Sequence, residues 1–250
     1  MNLKDLLGIV REVAESNGIR VPYIVGGVPR DVFMGLLDSL NDIDLTNGEA
    51  SISRLADLVG QKLQIAPIEL ADGHKKIRVE RFSVDFSTNQ IYDSIDNLLM
   101  LRGISVANGM VRETYSRDFT INTLMLPLDF SKIIDITAMG KYDIEHKIIR
   151  CPVDPVVALK ASPNRIIRAF YYSAKYGMVI DDSVKQAIKN NLNLLDSVKA
   201  KYASDKLTEA IRHNKDIVSD LIELGVLQKI KLTKDMTDQL IQSRRLVDVL

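Results

Sequence analysis

Two aspartates, Asp42 and Asp44, flank Ile43 in a short stretch that reads as a strand. Side chains two apart on a strand share one face, so both carboxylates point the same way while Ile43 points into a core. Carboxylates this close repel unless a cation lies between them. Hard divalent ions such as Mg2+ fill that role and share their shell with phosphate oxygens. Upstream, the apolar run Tyr23-Ile24-Val25 is long enough for one buried strand and stops at Gly26-Gly27. Pro29 then stands where a first helical turn would start, with Val32, Phe33, Leu36 and Leu37 as its apolar side. The order of strand, Gly-Gly, helix start and Asp-x-Asp strand places backbone N–H groups and a helix N-terminus beside a metal site. That is chemistry suited to a phosphate held by a divalent cation.

The composition narrows the rest. At 250 residues and 46% hydrophobic, the chain can bury a sizeable core in one large domain or two small ones. No apolar run approaches a membrane span, and the N-terminus lacks a signal-peptide pattern, so no membrane is expected. A single cysteine, Cys151, excludes a disulfide framework and suits a cytoplasmic location. His74, His146 and His213 are scattered with no zinc-ligand spacing, which argues against a zinc enzyme. Residues 1–150 hold 17 Lys+Arg against 21 Asp+Glu, and residues 151–250 hold 16 against 12. An acidic half and a basic half suit a polyanionic substrate, and an ordinary solvated helical surface explains the asymmetry equally well.

The elements that must position the carboxylates follow from periodicity. Residues 2–16 repeat Leu3, Leu6, Leu7, Val10 and Val13 at the helix period and end at Asn17-Gly18. Residues 51–63 read as a helix with Ile52, Leu55, Leu58, Val59 and Leu63 inward. Strands are expected at 64–70 and 76–88, with a turn near Glu80-Arg81. Within the second, Asp85 lies between Val84 and Phe86 and therefore faces away from them. Residues 89–116, with Gly103 and Asn108-Gly109, lack sustained periodicity and read as a loop. Beyond Cys151-Pro152 no strand pattern survives and helical runs take over, including 183–201 and 203–227, with one more helix in the last residues. The boundary falls near residue 150.

Gly26-Gly27-x-x-Arg30-Asp31 followed by Asp42-x-Asp44 resembles the head domain of class II tRNA nucleotidyltransferases (CCA-adding enzymes) and bacterial poly(A) polymerases. Pro29 departs from the usual Val. The resemblance runs through residues 20–227. It implies an α+β fold: a polymerase-β-like nucleotidyltransferase head with a mixed sheet at 1–150, followed by an all-helical neck at 151–250 that binds nucleotide and RNA. It makes Asp85 a candidate third carboxylate, where the bare pattern allows only an exposed strand residue. Ile133-Ile134-Asp135 resembles the family's closing strand. Tyr115-Ser116-Arg117-Asp118-Phe119-Thr120-Ile121-Asn122 resembles Arg-Arg-Asp-Phe-Thr-Ile-Asn, with Ser116 in place of the first arginine. Arg117 can pair with phosphate oxygens and Asp118 can accept from a ribose hydroxyl, and a structural Arg–Asp pair is the alternative.

In residues 161–170, Arg165 and Arg168 are three apart and hence neighbours on one helix face. They read as a solvated basic face or as a nucleotide grip. The segment resembles the family's Glu-Asp-Pro-x-Arg-Ile-Leu-Arg-Ala, whose acidic residue and first arginine hydrogen-bond the incoming base. Here Ala161 and Ser162 replace the two acids. The resemblance implies template-independent nucleotidyl transfer to an RNA 3′ end, tRNA included, from nucleoside triphosphates such as ATP and CTP. In that reading Mg2+ ions are held by Asp42 and Asp44, with Asp85 also catalytic. Gly26, Gly27 and Arg30 sit at the triphosphate, and Arg117, Asp118, Arg165 and Arg168 complete the nucleotide site. Transfer to a small-molecule or protein acceptor, or a non-catalytic RNA- or nucleotide-binding relic, are the rival readings. The first rival suits the near-absence of the body and tail with which family members grip tRNA.

Overall fold

A computed structural model describes residues 1–36, 40–70, 73–88, 95–106, 108–230 and 237. The chain divides into two compact units, Met1–Ile144 and Glu145–Leu250. The first is built on six strands: β1 (Tyr23–Val25), β2 (Asp42–Thr46), β3 (Ile68–Glu69), β4 (Lys75–Val79), β5 (Phe82–Phe86) and β6 (Leu126–Pro127). Their order is β3-β4-β5-β2-β1-β6. Only β2 and β5 pair parallel, and every other neighbour is antiparallel. A parallel pair needs a long crossover, supplied here by residues 47–81 with α3 (Ser51–Leu63) inside it.

Helices α1 (Leu3–Ser16) and α3 bring Leu6, Leu7, Val10, Ile52, Leu55 and Val59 into one core with Ile24, Ile43, Leu45, Val84 and Phe86 of the sheet. The Asn2 side chain accepts from the Asp5 N–H and caps α1, and α3 closes at Gln64 with a left-handed φ of 57°. The strand residues in that core are the odd partners of an alternating pattern. Asp42, Asp44 and Asp85 therefore fall on the opposite face.

Helix α2 (Gly27–Phe33) starts at the Gly-Gly pair, and Pro29 is its third residue, where no intrahelical N–H bond is lost. It ends earlier than the apolar spacing suggests. Gly35 at φ 74° forms a Schellman turn, with the Gly35 N–H on the Val32 carbonyl and the Leu36 N–H on the Asp31 carbonyl. Leu36 is exposed, so it does not join the apolar side, and Leu37 lies outside the described residues.

The expected loop over 89–116 instead contains α4 (Ile95–Leu101) and α5 (Gly109–Tyr115), residues 89–94 and 107 lying outside the described set. Two seven-residue helices are too short to show a period. They hold through specific bonds: Arg112 grips Asp96 with Nε and Nη2 at 2.6 and 2.9 Å, and the Asn108 side chain caps the Met110 N–H. Those bonds hold the Asp96 carboxyl below the usual carboxylate range. The stretch Ile133-Ile134-Asp135 makes a single bridge, Ile134 to Met125, and the sheet ends on β6. Pro127 fits there because an edge strand can lack a donor.

The second unit contains α7 (Pro155–Ala161), α8 (Asn164–Tyr176), α9 (Asp182–Asn190), α10 (Ala200–His213) and α11 (Ile217–Glu223), after the short α6 (Gly140–Glu145) that closes the first. Among the described residues its helical texture is broken once by strands. β7 (Ile148–Ile149) pairs parallel with β8 (Val179–Ile180), two residues each, too short to register as a pattern. The helix expected in the last residues lies outside the described set. No helix of the described residues is long and apolar enough to cross a membrane.

One close approach fixes α5 against the turn after β2. A Cβ built on Gly48 would lie 2.7 Å from the Gly109 carbonyl carbon, and one on Gly109 would strike the Gly48 carbonyl oxygen. Backbone cannot yield as a flexible side chain would. Gly109→Ala is expected to cost about 1–3 kcal/mol of stability, read as a lowered urea midpoint, whereas Gly8→Ala, with open space around it, leaves the midpoint unchanged or raises it.

Candidate active site

Strand register arranges the open face of the sheet in rows. Lys76, Asp85, Asp44 and Val25 stand side by side on β4, β5, β2 and β1. Arg78, Ser83 and Asp42 form the next row on β4, β5 and β2. Neighbouring strands are about 4.8 Å apart, so Asp44 has a like charge across one strand spacing and another two residues along its own strand. Asp42 is exposed, Asp44 is half-buried and Ile43 between them is buried.

Gly26, at φ 75°, passes so close to this row that a Cβ there would collide with Asp44 Oδ2. The missing side chain leaves the carboxylate facing bare backbone at the start of α2. Asp42 and Asp44 fit a divalent cation: two hard oxygen donors on one face, next to backbone N–H groups that suit phosphate. Among the described residues no group of three His, Cys, Asp or Glu is placed to hold an ion. Two protein carboxylates with phosphate and water completing the shell is the usual manner of Mg2+.

Asp85 is beside Asp44 but is committed elsewhere. Lys76 Nζ lies 3.1 Å from its Oδ1, which is buried and receives no hydrogen bond, so the contact is an ion pair through space.

Arg30, on α2, is buried. Its Nε donates to Asp31 Oδ1 at 2.9 Å and its Nη1 to Asn122 Oδ1 at 2.6 Å. Asn122 Nδ2 donates in turn to Asp118 Oδ1 at 2.9 Å, and the Phe119 N–H donates to the same oxygen at 2.8 Å. Arg30 and Asp118, far apart in sequence, are thus joined through one amide. Arg117 is also buried, and its carboxylate partner is Glu113, one turn back on α5, rather than Asp118.

In the second unit the two arginines of α8 take separate partners. Arg165 is buried and its Nη1 donates to the Ala158 carbonyl of α7 at 3.3 Å. Arg168 is half-buried; its Nη2 donates to the Tyr172 hydroxyl at 2.7 Å, with the guanidinium 5.5 Å from that ring's centre. Ala161 ends α7 and Ser162 caps it. Sequence reasoning had no part for Lys76, Glu113, Asn122 or Tyr172. Asn122 closes the 115–122 motif and was within reach, and Tyr172 is one turn from Arg168. Lys76 needed the strand register.

A six-stranded mixed sheet with an acid pair opposite a Gly-Gly turn defines a nucleotidyltransferase head. Residues 22–150, more than half of the chain, match the poly A polymerase head domain, and the chain belongs to that family. It is 25% identical over 205 residues to tRNA nucleotidyltransferase cca2 of Schizosaccharomyces pombe, covering 75% of this chain and 42% of that protein. It is 24% identical over 241 residues to a CCA-adding enzyme of Geobacillus sp., covering 94% of this chain and 56% of that one. The chain therefore spans about half the length of these relatives. A tRNA nucleotidyltransferase solved with a primer tRNA and an incoming ATP analog shares the fold, with a TM-score of 0.70 at 23% identity over 96% of this chain and 68% of its own.

The Asn122 amide bonds both Arg30 and Asp118. Asn122→Ala removes both contacts and strands buried polar groups, so a loss of about 1–3 kcal/mol is expected in urea unfolding. Asn122→Asp keeps an acceptor for Arg30 but sets a second carboxylate against Asp118, and it should not restore the native midpoint.

Proposed function

We propose that this chain is a template-independent RNA nucleotidyltransferase, in which an RNA 3′-hydroxyl attacks the α-phosphate of a nucleoside triphosphate and pyrophosphate leaves. The observation that carries the reading is the Asp42–Asp44 pair on the open face, pressed against the bare backbone of Gly26. A pure binding module gains nothing from two adjacent like charges. Family membership and the relatives' names, tRNA nucleotidyltransferase and CCA-adding enzyme, support the same class. The head is assigned to 1–150 and the neck to 151–250. One free, buried cysteine suits a cytoplasmic setting.

Asp42 and Asp44 would hold Mg2+, which when bound supplies charge neutralisation at the phosphate and favours the hydroxyl's ionised form. The remaining work falls to the chain's own groups. Backbone N–H groups at Gly26 and Gly27 orient the triphosphate. Arg30 brings buried positive charge beneath it and, through Asn122, fixes the carboxylate of Asp118, which is assigned to a ribose hydroxyl. Arg117, its guanidinium oriented by Glu113, is assigned to the nucleotide as well. Arg165 and Arg168 are assigned to the nucleotide in the second unit, and RNA, tRNA among its forms, to the acceptor.

Two measurements test this reading. Asp42→Ala or Asp44→Ala should lower incorporation of labelled nucleotide into bulk RNA with Mg2+ by about a thousandfold or more, since one lost ligand removes several kcal/mol of transition-state stabilisation. Unchanged turnover by a folded variant would sink the assignment.

The second concerns the base. Arg165 offers donors and no acceptor, so it cannot recognise an exocyclic amine, and the acids that would are replaced by Ala161 and Ser162. Nucleotide choice should be relaxed across the four NTPs. Replacing Ala161-Ser162 by Glu-Asp should sharpen preference for the amine-bearing C and A over U by roughly 1–3 kcal/mol. Thousandfold selection of one base by the native chain would show that other groups read it.

A further inference from the structure

Asp85 is the centre of a row with an acid on one side and a base on the other. It lies opposite Asp44 on β2 and opposite Lys76 on β4. The side chains of Lys76 and Asp85 are 22% and 27% exposed, so their attraction is less screened than that of a surface pair. Oδ1 of Asp85 is shut off from solvent and bonded to no donor, and the ammonium 3.1 Å away is the charge it meets.

The geometry points to Lys76 as a positioning residue that holds Asp85 out of the coordination shell of a divalent cation at Asp42 and Asp44. This rests on the metal-site reading given above. With Lys76 in place, ligation through Oδ1 requires displacing the ammonium. Ligation through Oδ2 would bring two positive charges to one carboxylate. The absence, among the described residues, of any three-acid group able to hold an ion accords with this arrangement. Cation binding without nucleotide is then the work of two carboxylates, and Asp85 is a reserve ligand held by its neighbour.

The distinguishing readout is metal affinity rather than turnover, because an ion pair that merely staples β4 to β5 would leave affinity untouched. Mn2+ binding to the whole chain, without nucleotide, is measured by electron paramagnetic resonance of the free ion. Lys76→Met, similar in length and able to keep the strand packing, should tighten binding by about tenfold or more as Asp85 joins the shell. Made on top of Asp85→Asn, the same substitution should change affinity less than about twofold. Asp42→Asn is the control and should weaken binding in every background. No gain from Lys76→Met, in a protein whose circular dichroism is native, overturns the inference. So does an equal gain with and without Asp85, which would mean simple repulsion of the ion by the lysine. If Lys76→Met does not fold, Lys76→Gln serves the same comparison. Unchanged Mn2+ binding by Asp42→Asn would overturn the metal-site reading itself, and the inference with it.

Discussion

The first unit depends on one pairing, the parallel contact of β2 with β5. In that register Asp44 is level with Asp85, and Asp42 with Ser83. Carboxylates one strand spacing apart repel, and nothing about strand propensity favours placing them there. The arrangement holds because the rest of the unit supplies what the pair lacks. The crossover that a parallel pair requires carries α3, and α3 with α1 buries Ile43, Leu45, Val84 and Phe86 on the opposite face. Hydrophobic burial on one side thus fixes the register, and the register forces the acids together on the other. A slip of one residue would bury the acids and expose the apolar set, so the two faces enforce each other. Lys76 and Arg78 stand on β4 in the same rows as Asp44 and Asp42.

A second layer of constraint is polar and buried. The chain of bonds from Arg30 through Asn122 to Asp118 is buried and joins segments far apart in sequence, and the buried pair Glu113–Arg117 adds a tie one turn long at the end of α5. Buried charges of this kind stabilise little on balance, but they tolerate few alternative arrangements, because each broken bond leaves a desolvated group. The Arg30–Asn122 bond fixes α2 against the turn at 119–122. A cluster that exacts specificity in this way suits a site that must hold a highly charged ligand without rearranging.

The open face was legible because it depends on period alone. Asp42 and Asp44 alternate with Ile43, and Asp85 with Val84 and Phe86, so their shared side followed from the chain. The same holds for α1 and for α3, whose bounds match a clean apolar repeat. Where the reading failed, a local or distant interaction overrode the pattern. Gly35 stopped α2 before Leu36 could join its apolar stripe. Helices α4 and α5 are shorter than two full turns and are held by Arg112 on Asp96 and by the Asn108 cap. The pair β7–β8 is two residues long. Lys76 and Asn122 act only through partners that strand register and folding deliver, and no spacing rule in the sequence names them.

The arginines named above meet different kinds of acceptor, and this bears on what each can do. Arg30, Arg112 and Arg117 are each met by a carboxylate, from Asp31, Asp96 and Glu113. Such a pair fixes the fork of donors but cancels much of its charge at a distance. Arg165 donates to a backbone carbonyl and Arg168 to a phenol hydroxyl, and neither of those two acceptors carries a charge. Orientation by a neutral acceptor keeps the positive field available to an anion while still restricting the side chain. Each guanidinium, Arg165 on Ala158 and Arg168 on Tyr172, carries N–H donors and no acceptor, so it suits an anion's oxygens and not an amine. Under the function proposed above, an exocyclic amine would find only the Ser162 hydroxyl as a side-chain acceptor at 161–162, in place of two carboxylates.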